Sequence, residues 1–182
     1  FHVVGRELVP AGKAVLSANH SGCADAIWLL LALDAPQMCR IIAKKELRSV
    51  PVVGWVMEKF RIIFVDRAAH DGTAYHEGVK ALENDEKMMV FVEGTRCNGN
   101  KHVRAKTGAV RMAVEAAAPV VPVFITRNKT PWCPINVIFG EPYDVEKRDH
   151  WTHDEYQHEA DELLRKIYKL GGDTYADHIG ED

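Results

Sequence analysis

The chain has 182 residues, which is enough for one domain with a substantial core but too short for two comfortable ones. Its formal net charge of −3 argues against a general nucleic-acid-binding protein, which would normally be strongly basic. Its apolar runs all fall short of the roughly 20 residues that span a bilayer, so we do not expect the chain as given to cross a membrane.

The first part of the chain alternates between strand-like and helical patterns. Segments 2–8 and 14–18 are expected to form a hairpin, because a turn sequence that contains Pro10 and Gly12 joins them. The patterns that follow predict, in order, a helix over 25–33, a strand over 39–43, a helical stretch from 45 to 59 and a strand over 61–65.

The second part continues the alternation. Its patterns predict a helix around Tyr75, Val79 and Leu82, a strand over 88–92, a helix over 107–117, strands over 120–125 and 135–139, and an amphipathic helix through 156–167. We therefore predict an α/β fold, a single-domain sandwich of a mixed, largely parallel sheet flanked by helices. Residues 1–170 are expected to form this domain, with 171–182 as a flexible C-terminal tail.

A histidine and an aspartate lie between the second predicted strand and the first predicted helix. Histidine titrates near neutrality and can take a proton from a hydroxyl, while an aspartate on its other ring nitrogen orients it. The spacing of His20 and Asp25 fits neither a helical turn nor one face of a strand, so the side chains can meet only if the chain bends, as Gly22 permits. The alternative is that Asp25 simply caps the following helix.

Cations follow the strand predicted over 88–92. Arg96 ends the sequence Glu93-Gly94-Thr95-Arg96, in which a glycine allows close approach of an anion and the arginine offers a planar fork to phosphate oxygens. Lys101, Arg104 and Lys106 then precede a helix start, which attracts phosphate through free amides. The alternative is a solvated charge cluster with a Glu93–Arg96 ion pair.

Four short blocks in a fixed order are more specific than any one of them. They are Asn19-His20-Ser21-Gly22-Cys23-Ala24-Asp25, Phe64-Val65-Asp66-Arg67, Phe91-Val92-Glu93-Gly94-Thr95-Arg96 and Val120-Val121-Pro122-Val123. In this order they resemble the motifs of the glycerolipid acyltransferase family, most closely the 1-acylglycerol-3-phosphate acyltransferases, over roughly residues 3 to 125. His20 and Asp25 occupy the positions of the family's His-x4-Asp motif.

The resemblance implies transfer of a fatty acyl group from acyl-CoA or acyl carrier protein to the sn-2 hydroxyl of lysophosphatidate, which gives phosphatidate. It makes His20 the general base and Asp25 its orienting partner, with no metal and no cofactor besides the thioester co-substrate. The residues expected to bind the acceptor are Arg67, Glu93, Gly94, Thr95, Arg96 and Lys106.

Other functions remain open at this stage. Glycerol-3-phosphate, a lysophospholipid or an ornithine lipid precursor are alternative acceptors within the family. A non-catalytic lipid- or acyl-carrier-binding module and a thioester hydrolase are alternatives from other classes.

Cys23 or Ser21 as a nucleophile is disfavoured, because direct transfer needs none and no Gly-x-Ser-x-Gly sequence surrounds Ser21. His150, His153, Asp154 and His158 are expected to form a solvated helix face and not a metal site.

The acceptor implied by the resemblance resides in a bilayer. We therefore expect the protein at the cytoplasmic face of the cell membrane, bound peripherally or anchored by a segment upstream of Phe1, where members of this family usually carry a hydrophobic segment. The candidate residues for membrane docking are Trp28, Leu29, Trp55, Val56 and Phe60.

Overall fold

The computed structural model describes residues 1–34, 39–44, 63–65, 72–97, 103–127, 132–146 and 148–172. The strands within these residues are β1 (His2–Val4), β2 (Ala14–Ala18), β3 (Cys39–Lys44), β4 (Ile63–Val65), β5 (Lys87–Phe91), β6 (Val120–Ile125) and β7 (Asn136–Phe139). The helices are α1 (Asp25–Ala32), α2 (Thr73–Glu83), α3 (Gly108–Ala116) and α4 (His153–Leu170), and a 3-10 helix covers Arg6–Leu8.

The described strands form one seven-stranded sheet in the order β1-β7-β6-β2-β5-β3-β4. Neighbouring strands are parallel except for β6 and β7, which are antiparallel. The predicted α/β fold with a mixed, largely parallel sheet is confirmed. The predicted helical stretch 45–59 lies outside the described residues, as does all but the first part of the predicted tail.

The predicted hairpin between segments 2–8 and 14–18 is wrong. β1 pairs in parallel with β7 at the edge of the sheet, whereas β2 lies between β5 and β6. Each of the five residues of β2 is buried, which favours a central position covered on both faces, whereas β1 is mostly exposed. Gly5, with φ of 74°, ends β1 and leads into the 3-10 helix, so the chain turns away before a hairpin can form.

The core has two layers, one on each face of the sheet. Successive residues of β2 face opposite layers: Val15 packs in the layer formed with α2, α3 and α4, and Leu16 packs in the layer formed with α1. The central strands are therefore covered on both faces, as their continuous apolar runs predict.

Helix α4 has a well-defined start and one buried face. The Thr152 side chain accepts from the Glu155 amide, and the Glu155 side chain accepts from the Thr152 amide, which completes a capping box. Leu163, Leu164 and Ile167 form the fully buried stripe that packs against the sheet. Among the described residues, no helix is both long enough and apolar enough to span a membrane.

Candidate active site

Two loops meet at the carboxyl ends of neighbouring strands. Ala18, the last residue of β2, is the register partner of Phe91, the last residue of β5. Two backbone hydrogen bonds continue this contact into the loops: the Val92 amide donates to Ala18 over 3.1 Å, and the Cys97 amide donates to His20 over 2.7 Å. This edge of a parallel sheet is the usual place for a ligand site in α/β proteins.

His20 and Asp25 meet in the first loop, as their side chains were predicted to do. His20 Nδ1 lies 3.0 Å from Asp25 Oδ2, and Asp25 is fully buried. The same Asp25 oxygen accepts from the amides of Ser21, at 2.6 Å, and Gly22, at 2.7 Å. Because a carboxylate can only accept hydrogen bonds, this pairing places the imidazole proton on Nδ1 and leaves a lone pair on Nε2.

The bend between the two residues is held by hydrogen bonds. Gly22 is not among the residues with a positive φ, so the turn does not depend on the conformational freedom of glycine. Instead, the Asp25 side chain folds back onto the two preceding amides, and the Asp25 amide donates to Gly22 over 3.2 Å. Asp25 is the first residue of α1, and α1 has no side-chain cap, so its carboxylate orients the histidine turn and does not cap the helix.

The histidine is also held from the neighbouring strands. Its ring stacks on Phe91 at the end of β5, with ring centroids 4.2 Å apart. Its backbone amide donates to Glu93 Oε2 over 2.6 Å. The preceding residue, Asn19, exchanges two hydrogen bonds with the backbone of Ile125 at the end of β6, at 2.7 and 2.9 Å. Three strand ends therefore restrain the orientation of one imidazole.

Glu93 lies inside the protein, beneath the histidine. It is fully buried, and its two oxygens accept from the His20 amide and from the Tyr168 hydroxyl. Burial raises the pKa of Glu93, while these two hydrogen bonds and the nearby positive charge of Arg127 oppose the rise. Direct contact between Glu93 and an acceptor stays a prediction, and this buried position favours a role in holding the histidine loop.

The next residues of the second loop face outward. Gly94, Thr95 and Arg96 are exposed, and the Arg96 guanidinium contacts the thiol of Cys23 in the histidine loop. Gly94 has φ of 67°, a conformation that favours glycine. A Cβ atom at Gly94 would lie 2.8 Å from Cγ of Lys106, so the absence of a side chain also lets Lys106 pass close to the loop.

Lys106 belongs to the same edge. Its amide donates to the Val92 carbonyl over 2.7 Å, and its side chain is exposed. Helix α3 begins two residues later, at Gly108, where helix amides favour anions. Nε of Arg104 lies 3.9 Å from Oδ2 of Asp161, so Arg104 forms an ion pair with α4. Arg67 and Lys101, also predicted near phosphate, lie outside the described residues.

Some residues of the site were not predicted as functional from the sequence, although Phe91 stands in one of the four motif blocks. Phe91 and Tyr168 look like ordinary core residues, the first at a strand end and the second on the buried stripe of α4. Arg127 lies over the Tyr168 ring, with its guanidinium carbon 5.1 Å from the ring centroid.

His150, His153 and His158 are exposed, and among the described residues no three His, Cys, Asp or Glu side chains are grouped so as to hold a metal ion.

The chain is similar to known acyltransferases. The acyltransferase family model matches residues 1–126. The chain is 33% identical over 134 residues to the 1-acyl-sn-glycerol-3-phosphate acyltransferase of Saccharomyces cerevisiae. This alignment covers 70% of the chain and 43% of the yeast protein. It is 32% identical over 122 residues to the human 1-acyl-sn-glycerol-3-phosphate acyltransferase beta, covering 65% of the chain and 43% of the human protein.

A solved structure is similar in fold and in sequence. It is the crystal structure of the 1-acyl-sn-glycerophosphate (LPA) acyltransferase PlsC from Thermotoga maritima, which is 29% identical with a TM-score of 0.70. The match covers 93% of this chain and 71% of that chain. The chain spans about half the length of the curated relatives that it matches. The motifs, the fold and the family model agree, and the chain belongs to the acyltransferase family.

Proposed function

We propose that the chain is the catalytic domain of a 1-acylglycerol-3-phosphate O-acyltransferase. The observation that carries the proposal is the His20–Asp25 pair at one sheet edge with Arg96 and Lys106. The similar acyltransferases are named for a lysophosphatidate acceptor, which supplies the substrate class. The acyl donor is a thioester, acyl-CoA or acyl carrier protein.

The reaction follows from the free lone pair of His20. His20 Nε2 takes the proton of the sn-2 hydroxyl while the hydroxyl oxygen attacks the thioester carbonyl carbon. Asp25 stabilises the imidazolium that forms. The tetrahedral intermediate then collapses, the carbon–sulfur bond breaks, and the leaving thiolate takes the proton back from His20. The acyl group passes directly from sulfur to oxygen, so Cys23 is not needed as a nucleophile.

The phosphate of the acceptor is held by cations at the same edge. Arg96 and Lys106 present exposed positive charges, and Gly94 and Thr95 lie in the exposed loop between the buried Glu93 and Arg96. Arg67 is proposed to join them on the strength of its motif alone. Binding the phosphate at a fixed place holds the sn-2 hydroxyl near Nε2 and converts an encounter into a positioned attack.

Arg96→Ala is expected to raise the KM for lysophosphatidate about ten- to a hundredfold, because a charged hydrogen bond to phosphate contributes roughly 1.5 to 3 kcal/mol. The KM for the acyl donor should change much less. Lys80→Ala is a suitable control, because Lys80 is an exposed cation in the last turn of α2. It lies near the start of β5, at the end of the strand opposite to the one that carries the site. Equal increases for both substrates would remove the phosphate role from Arg96.

One assay separates the proposed reaction from its rivals. Release of free thiol and formation of phosphatidate are followed with and without lysophosphatidate, using acyl-CoA and acyl carrier protein in separate arms. Thiol release that requires the acceptor and equals phosphatidate formation supports the transferase. Thiol release without acceptor would indicate a hydrolase, and binding without turnover would indicate a binding module. Replacing lysophosphatidate with glycerol-3-phosphate or a lysophospholipid identifies the acceptor.

The site must also reach a lipid in a bilayer, and we propose that it does so at the cytoplasmic surface of a membrane. Three large apolar side chains are exposed near the edge that carries His20: Phe1 at the start of β1, Ile27 in the first turn of α1, and Trp132 before β7. Trp132 is 95% exposed. Of the candidates from the sequence, Leu29 is fully buried in the core, so its prediction as a docking residue is wrong. Trp28 is half-buried and packs against the core, and Trp55, Val56 and Phe60 lie outside the described residues.

Trp132→Glu and Ile27→Glu are each expected to reduce flotation of the protein with anionic liposomes, because a charge replaces an apolar side chain that enters the interface. Asn84→Glu is the matched control, since it adds the same charge at the opposite sheet edge, just before β5 begins. If all three variants float as well as the original protein, the docking face lies elsewhere.

A further inference from the structure

Helix α4 lies beyond the residues that the family model matches, yet its side chains reach both loops of the site. The model match ends at residue 126, and α4 covers His153–Leu170. Tyr168 near its end contacts Glu93 beneath the histidine loop, and Gln157 and Asp161 in its first half contact Ala105 beside Lys106. The two contacts serve different parts of the site.

The first contact is a buried chain of hydrogen bonds that ends at the histidine. The Tyr168 hydroxyl donates to Glu93 Oε1, and Glu93 Oε2 accepts from the His20 amide over 2.6 Å. Tyr168 and Glu93 are both almost completely buried, so water does not replace the hydroxyl as a donor. The other charged or titratable groups that act on Glu93 are Arg127 and the His20 ring. The orientation of the Glu93 carboxylate therefore depends on Tyr168.

The second contact fixes the backbone directly before Lys106. Gln157 Nε2 donates to the Ala105 carbonyl over 3.0 Å, and the Ala105 amide donates to Asp161 Oδ1 over 3.3 Å. Gln157 also donates to Asp161 over 3.0 Å, so the two side chains hold each other. On its other side the segment is bonded through the Lys106 amide to Val92. Helix α4 thus satisfies both backbone polar groups of Ala105. These bonds hold the backbone directly before Lys106 in place.

We propose that α4 positions the two halves of the site separately: Tyr168 positions the base His20 through Glu93, and the Gln157–Asp161 pair positions Lys106 through Ala105. The proposal rests on the function proposed above, since it assigns His20 to catalysis and Lys106 to the acceptor phosphate. A buried polar group that loses its partner is costly, so each loop should shift when its contact is removed. The separation predicts different kinetic effects for the two contacts.

Tyr168→Phe removes only the hydroxyl and should lower kcat about tenfold, with the KM for lysophosphatidate within about twofold. It should also raise the pKa of the Glu93 carboxyl group, which NMR of the labelled carboxyl carbon measures as a function of pH. The hydrogen bond from Tyr168 lowers the pKa of Glu93, so its loss raises that pKa, and the carboxylate is then protonated at a higher pH. Tyr156→Phe is the matched control, because Tyr156 lies on the same helix and its ring contacts Trp151 and Arg111.

Gln157→Met keeps the length of the side chain but removes the donor to Ala105. It should raise the KM for lysophosphatidate about five- to tenfold and leave kcat within about twofold. Leu164→Ala controls for loss of stability alone, since Leu164 is a fully buried residue of the same helix. All kinetics are measured at a temperature where circular dichroism shows each variant to be folded.

Amide hydrogen exchange provides a readout that does not depend on activity. Tyr168→Phe should speed exchange at the His20 amide about tenfold, and Gln157→Met should do so at the Lys106 amide, each without affecting the other. Unchanged exchange at both amides, or the same kinetic pattern from both variants, would overturn the inference. If the protein makes no phosphatidate while the two exchange effects occur separately, the proposed function fails and the positioning role of α4 stands.

Discussion

His20→Ala is expected to lower kcat about a hundred- to ten-thousandfold, because it removes the only acceptor for the hydroxyl proton that the proposed mechanism uses. The fold should remain intact, since the backbone bonds from the His20 amide to Glu93 and from Cys97 to the His20 carbonyl do not involve the imidazole. The measurement is phosphatidate formation under saturating donor and acceptor, with circular dichroism as a check on folding.

The matched variant in the same loop is Cys23→Ala, which should keep turnover within about threefold, because the proposed direct transfer needs no enzyme nucleophile. The general-base role is wrong if purified His20→Ala retains more than about a tenth of the original turnover. A covalent route would be indicated by inactivity of Cys23→Ala together with an acyl thioester trapped on Cys23 of the original protein.

Asp25→Ala is expected to lower kcat by a similar factor of about a hundred to ten thousand, because a base and its orienting partner act as a unit. It should also destabilise the fold. The amides of Ser21 and Gly22 both donate to Asp25 Oδ2, and each buried donor left without an acceptor costs about 1–3 kcal/mol. Urea unfolding measures the loss of stability, and turnover per folded molecule measures the loss of catalysis.

Asp25→Asn separates charge from geometry at this position. The three N–H groups converge on one Asp25 oxygen, so the single amide oxygen of asparagine can retain all three contacts while the negative charge is lost. The expected result is a more stable protein than Asp25→Ala whose kcat is still clearly reduced, because the imidazolium loses its counter-charge. Full turnover in folded Asp25→Ala would leave Asp25 a structural role only.

Tertiary contacts between distant parts of the chain could not be predicted from the sequence. The contact between Glu93 and Tyr168 joins residues that are 75 positions apart. Tyr168 itself has the apolar spacing of a core residue, so its pattern gives no sign that its hydroxyl meets a carboxylate. The contacts of Gln157 and Asp161 with Ala105 also join residues about 50 positions apart.

Local sequence patterns predict the alternation of strands and helices and the two strand-end loops, and the family resemblance implies that His20 meets Asp25. The strands and helices follow from local pattern. The two loops lie together because the carboxyl ends of neighbouring parallel strands lie at the same end of a sheet. The pairing of β1 with β7, the buried position of Glu93 and the contacts of α4 with both loops are seen only in the folded structure. Burial is the physical reason, since a polar side chain enclosed by packing must take whichever partner the fold brings to it, at any distance in sequence.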